Sequence, residues 1–167
     1  MILLLWDASA LVKRYVPETG SEIVAELFAQ VPATQMVTTF LGYAESWAVL
    51  VRQRNRNVFD EASYKMLTSA LQNDVILDVD FGVLDVETGA ILAGIVFVEK
   101  HNLNASDAAI LVTYLRYAQL EAQVGNRYVL VASDARLLRA AQAEGLAVFN
   151  PETFSVADIA GLIVNLP

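Results

Sequence analysis

The chain has 167 residues with 11 Lys and Arg against 19 Asp and Glu, one His and no Cys, giving a formal charge of −8. That length is enough for one domain, residues 1–167, with a full core. The missing cysteines exclude a disulfide framework and any thiolate metal site, and the lone His101 excludes an imidazole cluster, so a bound metal must be held by oxygen. The acidity argues against a generic nucleic-acid coat protein, and 56% apolar residues, against about 45–50% in ordinary domains, leave surface for a partner.

Met1–Trp6 is apolar, lacks a basic leader and meets Asp7 too soon for a signal peptide, so Ile2–Trp6 is expected as a buried strand. Ala8–Tyr15 starts a helix that Asp7 or Ser9 can cap, and Pro17 interrupts it. Thr19 and Glu22 have capping-box spacing for a helix through about Gln30. Gln35–Thr38 is expected as a strand. Leu41 to about Gln53 follows as a helix with Leu41, Ala44, Ala48 and Val51 on one apolar stripe. Then come a helix at Asp60–Leu71, a strand at Val75–Val79, and a long apolar helix at Val83–His101. The series ends with helix Ala105–Leu120, strand Tyr128–Ala132, helix Asp134–Glu144 closed by Gly145, and strand Ala147–Phe149, leaving a tail at 152–167. Strands alternating with helices imply right-handed βαβ units, hence an α/β domain with a parallel sheet covered on both faces. The longest uncharged stretch, Leu27–Ala44, carries too many polar residues to span a membrane, and the cytoplasm is the expected compartment.

Ligands of open parallel sheets bind at the carboxyl ends of strands. Asp7 directly follows the first strand, Glu45 lies one turn into the helix after the second, Asp107 sits in the first turn of its helix, and Asp134 follows the Tyr128–Ala132 strand. Taken singly, an Asp at a strand-to-helix junction is adequately explained as a helix cap. Taken together, the four acids can reach one edge of the sheet. Two carboxylates about 4 Å apart repel by about 4 kcal/mol at an effective dielectric near 20, so convergence requires a cation or raised pKa values. Hard oxygen donors select Mg²⁺ or Mn²⁺, an ion suited to phosphoryl chemistry.

Leu5-Trp6-Asp7-Ala8-Ser9-Ala10-Leu11-Val12-Lys13-Arg14-Tyr15, then Tyr43-Ala44-Glu45, Ala105-Ser106-Asp107-Ala108, Ala132-Ser133-Asp134-Ala135-Arg136-Leu137 and Val148-Phe149-Asn150-Pro151 resemble, in order and spacing over about residues 2–151, the PIN-domain nucleases, and among them the VapC-type toxins of toxin–antitoxin pairs. The resemblance implies a PIN-like three-layer α/β/α domain with a central parallel sheet of four or five strands, in which Asp7, Glu45, Asp107 and Asp134 bind Mg²⁺ or Mn²⁺ and cleave RNA phosphodiesters. Ser9 and Ser133 match the hydroxyl positions beside the first and last acids, where they can orient a carboxylate or simply cap a helix. The resemblance also implies a homodimer and a small antitoxin lying in an apolar groove, for which exposed rows are expected near Leu11, Val12, Ile23, Leu27 and Phe28.

Six acids and no base fall in Met66–Glu99, whereas eight of the eleven bases, Lys13, Arg14, Arg52, Arg54, Arg56, Arg116, Arg136 and Arg139, follow one of the four acids closely. Arg52, Arg54 and Arg56 are the candidate RNA contacts; ordinary solvated helix ends account for them equally well. His101 is expected to end a helix, and Trp6 and Trp47 to pack in the core. The competing readings are a catalytically silent PIN-like binding module, an RNA-processing PIN nuclease without an antitoxin, and an aspartyl-phosphate enzyme or receiver. The last is disfavoured because no second acid adjoins Asp7.

Overall fold

The computed structural model describes residues 1–165, with side chains as far as Gly161. Its centre is β1 (Ile2–Trp6), five consecutive apolar residues buried on both sides, as a parallel strand between two helix layers must be. β2 (Met36–Thr39) lies on one side of β1 and β4 (Arg127–Val131) on the other. β3 (Gly82–Leu84) and β5 (Ala147–Phe149) are the edges, giving a five-stranded, all-parallel sheet of order β3-β2-β1-β4-β5. The winding reverses between β1 and β4, so the topological switch point opens at the carboxyl ends of those two strands. Asp7 and Asp134 follow them.

Alternate residues of β1 face opposite cores. Leu4, Trp6, Val129 and Val131 pack with the short α1 (Ala8–Leu11), its 3₁₀ extension Val12–Arg14, α2 (Ser21–Gln30), part of α3 (Phe40–Asn55) and α4 (Glu61–Gln72). Leu5 and Leu130 pack with α6 (Ala105–Ala122) and α7 (Ala135–Ala143), and α5 (Thr88–His101) closes over α6. Trp6 is fully buried against Phe28, and Trp47 only partly buried.

The structure departs from the sequence expectations in five places. Val75–Val79 is not a strand: the chain leaves α4 through a wider π-helical turn, Asn73–Leu77, burying Val75 while Val79 stays 96% exposed. The third strand is Gly82–Leu84 instead, where glycine admits the close approach of Val37, so the helix expected over Val83–His101 begins only at Thr88. The Thr19–Glu22 capping box does not form; Gly20 in the left-handed region (φ +88°) precedes α2, and the Ser21 hydroxyl accepts from Glu18 N and donates to Val16 O. On α3 the buried side is Gly42, Ser46 and Leu50, not the Leu41–Ala44–Ala48–Val51 stripe. Lastly, Leu11, Val12, Ile23 and Leu27 are buried and Phe28 is half-buried, because their stripes pack on Trp6 and Val131. The apolar groove expected there is core.

The tail carries a helix, α8 (Val156–Asn165); residues 166–167 of the tail lie outside the described residues. Among the described residues, no helix is long and apolar enough to cross a membrane.

Candidate metal centre and nuclease site

Four elements deliver four acids to one cavity of about 330 Å³, lined by Asp7, Ser9, Glu45, Arg52, Asn104, Asp107 and Asp134 with Ala8, Ala48 and Val49. Asp7 continues β1, its N–H bonded to Val131 O. The preceding carbonyl, of Trp6, accepts hydrogen bonds from Thr38 Oγ1 at 2.9 Å and Tyr114 Oη at 2.6 Å, tying β2 and α6 to the end of β1. Glu45 is placed by the start of α3. Thr39 caps that helix by accepting from Gly42 N, and a side chain at Gly42 would meet Thr38 Oγ1 at 3.0 Å, so glycine lets the first turn sit close on the strand end.

Asp107 is set by Asn104 in a reciprocal cap. Asn104 Oδ1 accepts from Asp107 N, and Asn104 Nδ2 donates to Asp107 Oδ2, each at 2.8 Å. Asp134 caps α7, its Oδ1 accepting from the N–H groups of Arg136 and Leu137. Ser9 joins the two loops of the switch point: its N–H and Oγ donate to Asp7 Oδ2, and its Oγ accepts from Ser133 N and Asp134 N. The Ser133 hydroxyl is buried with no hydrogen-bond partner among the described residues.

This wiring engages one oxygen of each aspartate and leaves Asp7 Oδ1, Asp107 Oδ1 and Asp134 Oδ2 without a hydrogen-bond donor among the described residues; neither oxygen of Glu45 has one. Burial, and then the charges of Glu45 and Asp134, push the Asp7 carboxyl up despite the lowering effect of Ser9. Burial and the charges of Asp7, Asp134 and Glu45 push Asp107 up to about 7. The site as built is short of positive charge. Arg52 lines it, and Arg136 lies 4.0 Å from Asp134 Oδ2. Among the described residues no three of these carboxylates stand close enough to form a ready-made coordination shell. The donor set, all oxygen with at least one free carboxylate oxygen on each acid, nevertheless fits a hard divalent cation once the side chains close on it.

The other bases found in sequence are mostly committed elsewhere. Lys13 is buried and bridges Glu18 and Glu152, Arg14 lies over Phe28 and near Asp74, and Arg54 lies over Tyr64. Arg116 donates to Gly89 O. Arg56 and Arg139 are exposed. His101 meets Glu144 at 2.6 Å at the end of α5, outside the acidic cavity. A roomier cavity of about 430 Å³ lies between β3 and α6, lined by none of the four acids. Sequence reasoning missed Thr38, Tyr114 and the role of Asn104. Only the last left a signal, an Asn three residues before an Asp at a helix start.

No protein-family model and no curated protein matches the sequence. Solved structures do match in shape. FitAcB from Neisseria gonorrhoeae is 15% identical with TM-score 0.61, over 91% of this chain and 100% of that one. Mycobacterium tuberculosis VapC20, a sarcin–ricin loop cleaving toxin, is 14% identical with TM-score 0.60, over 86% and 96%. A toxin–antitoxin complex from Klebsiella pneumoniae is 16% identical with TM-score 0.53, over 89% and 97%. The chain has the PIN-like fold. Its resemblance to the VapC-type proteins thus extends from ordered motifs to the whole architecture, and the four acids of those motifs line one cavity in it.

Proposed function

We propose that this chain is a Mg²⁺- or Mn²⁺-dependent endoribonuclease, the toxin of a toxin–antitoxin pair, working as a homodimer and restrained by a small antitoxin. The observation that carries the reading is the convergence of Asp7, Glu45, Asp107 and Asp134 from four elements on one cavity at the switch point, with two of them pushed up by burial and mutual repulsion. The shape shared with VapC20 and with a toxin–antitoxin complex supports the substrate class and the partner.

In this reading the four acids would hold the cation, whose charge would offset that developing on a phosphate and favour deprotonation of the attacking water. Ser9 keeps Asp7 and the Asp134 loop in register, and Asn104 keeps the free oxygen of Asp107 turned to the cavity. Glu45, neither of whose oxygens is hydrogen-bonded within the protein, would keep one oxygen for the cation and take the proton of the attacking water with the other, while the departing oxygen takes a proton from solvent. Arg52 at the rim pairs with a substrate phosphate, and the exposed Arg56 just beyond α3 extends that contact, whereas Arg54, laid over Tyr64, does not. RNA affinity then depends strongly on divalent metal and only modestly on monovalent salt, since few phosphates are paired.

A catalytically silent module has one observation in its favour: Asp7, Asp107 and Asp134 each serve a helix start. Incubating RNA with the chain and with its Asp7→Asn variant, with Mg²⁺ or Mn²⁺ and with chelator, separates the two. Cleavage that needs metal and falls by about a thousandfold in the variant is expected; chelator-resistant cleavage, or full activity of the variant, overturns the reading.

A further inference from the structure

We propose that Arg136 stands in for the cation while the site is metal-free, its guanidinium drawn to the free oxygen of Asp134, and that loading the site releases it to a phosphate of the RNA. This rests on the cation-dependent nuclease reading of the preceding section and adds a residue to it.

Asp134 Oδ1 accepts from Arg136 N at 2.7 Å and Leu137 N at 3.0 Å, which leaves Oδ2 as the oxygen free for a cation. Arg136 Nη2 lies 4.0 Å from that Oδ2, and among the described residues no other base forms an ion pair with any of the four acids. Its reach extends past Asp134. Burial, and then the charges of Asp7, Asp134 and Glu45, push Asp107 up, and the positive charge that opposes them is that of Arg136.

The local structure gives a base no reason to be there. Arg136 is the second residue of α7, at the positive end of the helix dipole, where a cation is disfavoured. The next two residues, Leu137 and Leu138, are buried, but the Arg136 side chain is 49% exposed, so carboxylate charge and not packing holds it, and its long stem is free to swing away.

A guanidinium stays charged at any working pH, and its planar fork of N–H donors suits a carboxylate and a phosphate equally well. With a cation on Asp134 Oδ2, like-charge repulsion drives the guanidinium off that oxygen. The arginine remains anchored two residues from Asp134, within reach of the RNA backbone that the site takes up. Arg136 therefore opposes cation binding and favours RNA binding, two effects of opposite sign from one side chain.

Calorimetric titration of Mn²⁺ into the metal-free full chain, Arg136→Gln, Arg136→Lys and Arg139→Gln tests the first effect; Arg139, exposed on the same helix and in no ion pair among the described residues, controls for net charge. Arg136→Gln is expected to bind Mn²⁺ about threefold or more tighter, with Arg136→Lys and Arg139→Gln within about twofold of the unaltered chain. In RNA cleavage at saturating Mn²⁺, Arg136→Gln should raise KM about threefold or more and leave kcat within about twofold. A guanidinium that merely oriented Asp134 would give weaker Mn²⁺ binding on removal, and one with no part in the site would give no change; either result overturns the proposal, as does equal tightening by Arg139→Gln. Tighter Mn²⁺ binding with an unchanged KM overturns the transfer to phosphate. Absence of RNA cleavage by the unaltered chain overturns the nuclease reading instead, and the Mn²⁺ titrations then still decide whether Arg136 stands in for the cation.

Discussion

Replacing Asp107 by Asn separates a carboxylate in a repelling cluster from one that merely caps a helix. The amide keeps the shape and can still accept from Asn104 Nδ2, while the charge facing Asp7, Asp134 and Glu45 disappears. The folded protein holds the Asp107 proton to about pH 7, against 3.8 for a free carboxyl, so it binds more protons than the unfolded chain between those values, and its stability falls as pH rises from about 4 to about 7. At 1.36 kcal/mol per pH unit the full effect is about 4 kcal/mol; water reaching the open side of the cavity screens this to about 1–2 kcal/mol. In metal-free buffer at pH 8, Asp107→Asn is therefore expected to melt about 2–8 °C above the unaltered chain, with the gain shrinking towards pH 4. Thermal unfolding with chelator at several pH values reads this directly. Adding Mn²⁺ should stabilise the unaltered chain more than the variant and so shrink the variant's advantage, because the unaltered chain binds the ion more tightly. A variant less stable than the unaltered chain at pH 8, as loss of a simple capping carboxylate would give, refutes the reasoning.

Other perturbations test the supports of the site and the fold. Ser9→Ala removes the hydroxyl that serves Asp7 and two backbone N–H groups, and should cost about 1–3 kcal/mol in denaturant unfolding while lowering RNA cleavage more than RNA binding. At Lys13, removing both half-exposed partners, Glu18→Gln with Glu152→Gln, strands a buried ammonium and should cost about 3 kcal/mol or more, whereas Lys13→Met should cost less, since both carboxylates can return to water. Gly20→Ala meets Pro151 O at 2.7 Å at φ +88° and should destabilise by clearly more than Gly145→Ala, which has the same φ but open space and should cost about 1–2 kcal/mol. Melting temperatures of the two variants check the ranking.

How far the sequence reaches depends on the kind of information each element carries. β1, β4 and β5 were legible because an apolar run flanked by helix starts has no other place in an α/β protein. β3 was not, because Val75–Val79 and Gly82–Leu84 are both short and apolar, and the choice was made by continuity with α4 and by the fit of Gly82 on Val37. The four acids were legible through their order after the strands, yet Asp7, Asp107 and Asp134 also satisfy local helix starts, so composition and spacing alone leave both roles open. Glu45 differs: half-buried in the second turn of α3, it has no hydrogen-bond partner among the described residues, and only the fold brings it to the others. The contacts that assemble the cavity, Tyr114 and Thr38 on the Trp6 carbonyl and Ser9 between two loops, span 32 to 125 residues and leave no local pattern. The −8 charge likewise said little about the site, because acids and bases are sorted by position: the acids of Met66–Glu99 lie outside the cavity, and of the bases Arg52 lines it.

The central claim, that Asp7, Glu45, Asp107 and Asp134 act as one oxygen site for a divalent cation, is tested most directly by calorimetric titration of Mn²⁺ into the metal-free protein and its four single Asp→Asn or Glu→Gln variants. Saturable binding that each of the four substitutions weakens by about tenfold or more is the predicted result. Binding that any three of the variants retain unchanged, or no saturable binding by the unaltered chain, would contradict it.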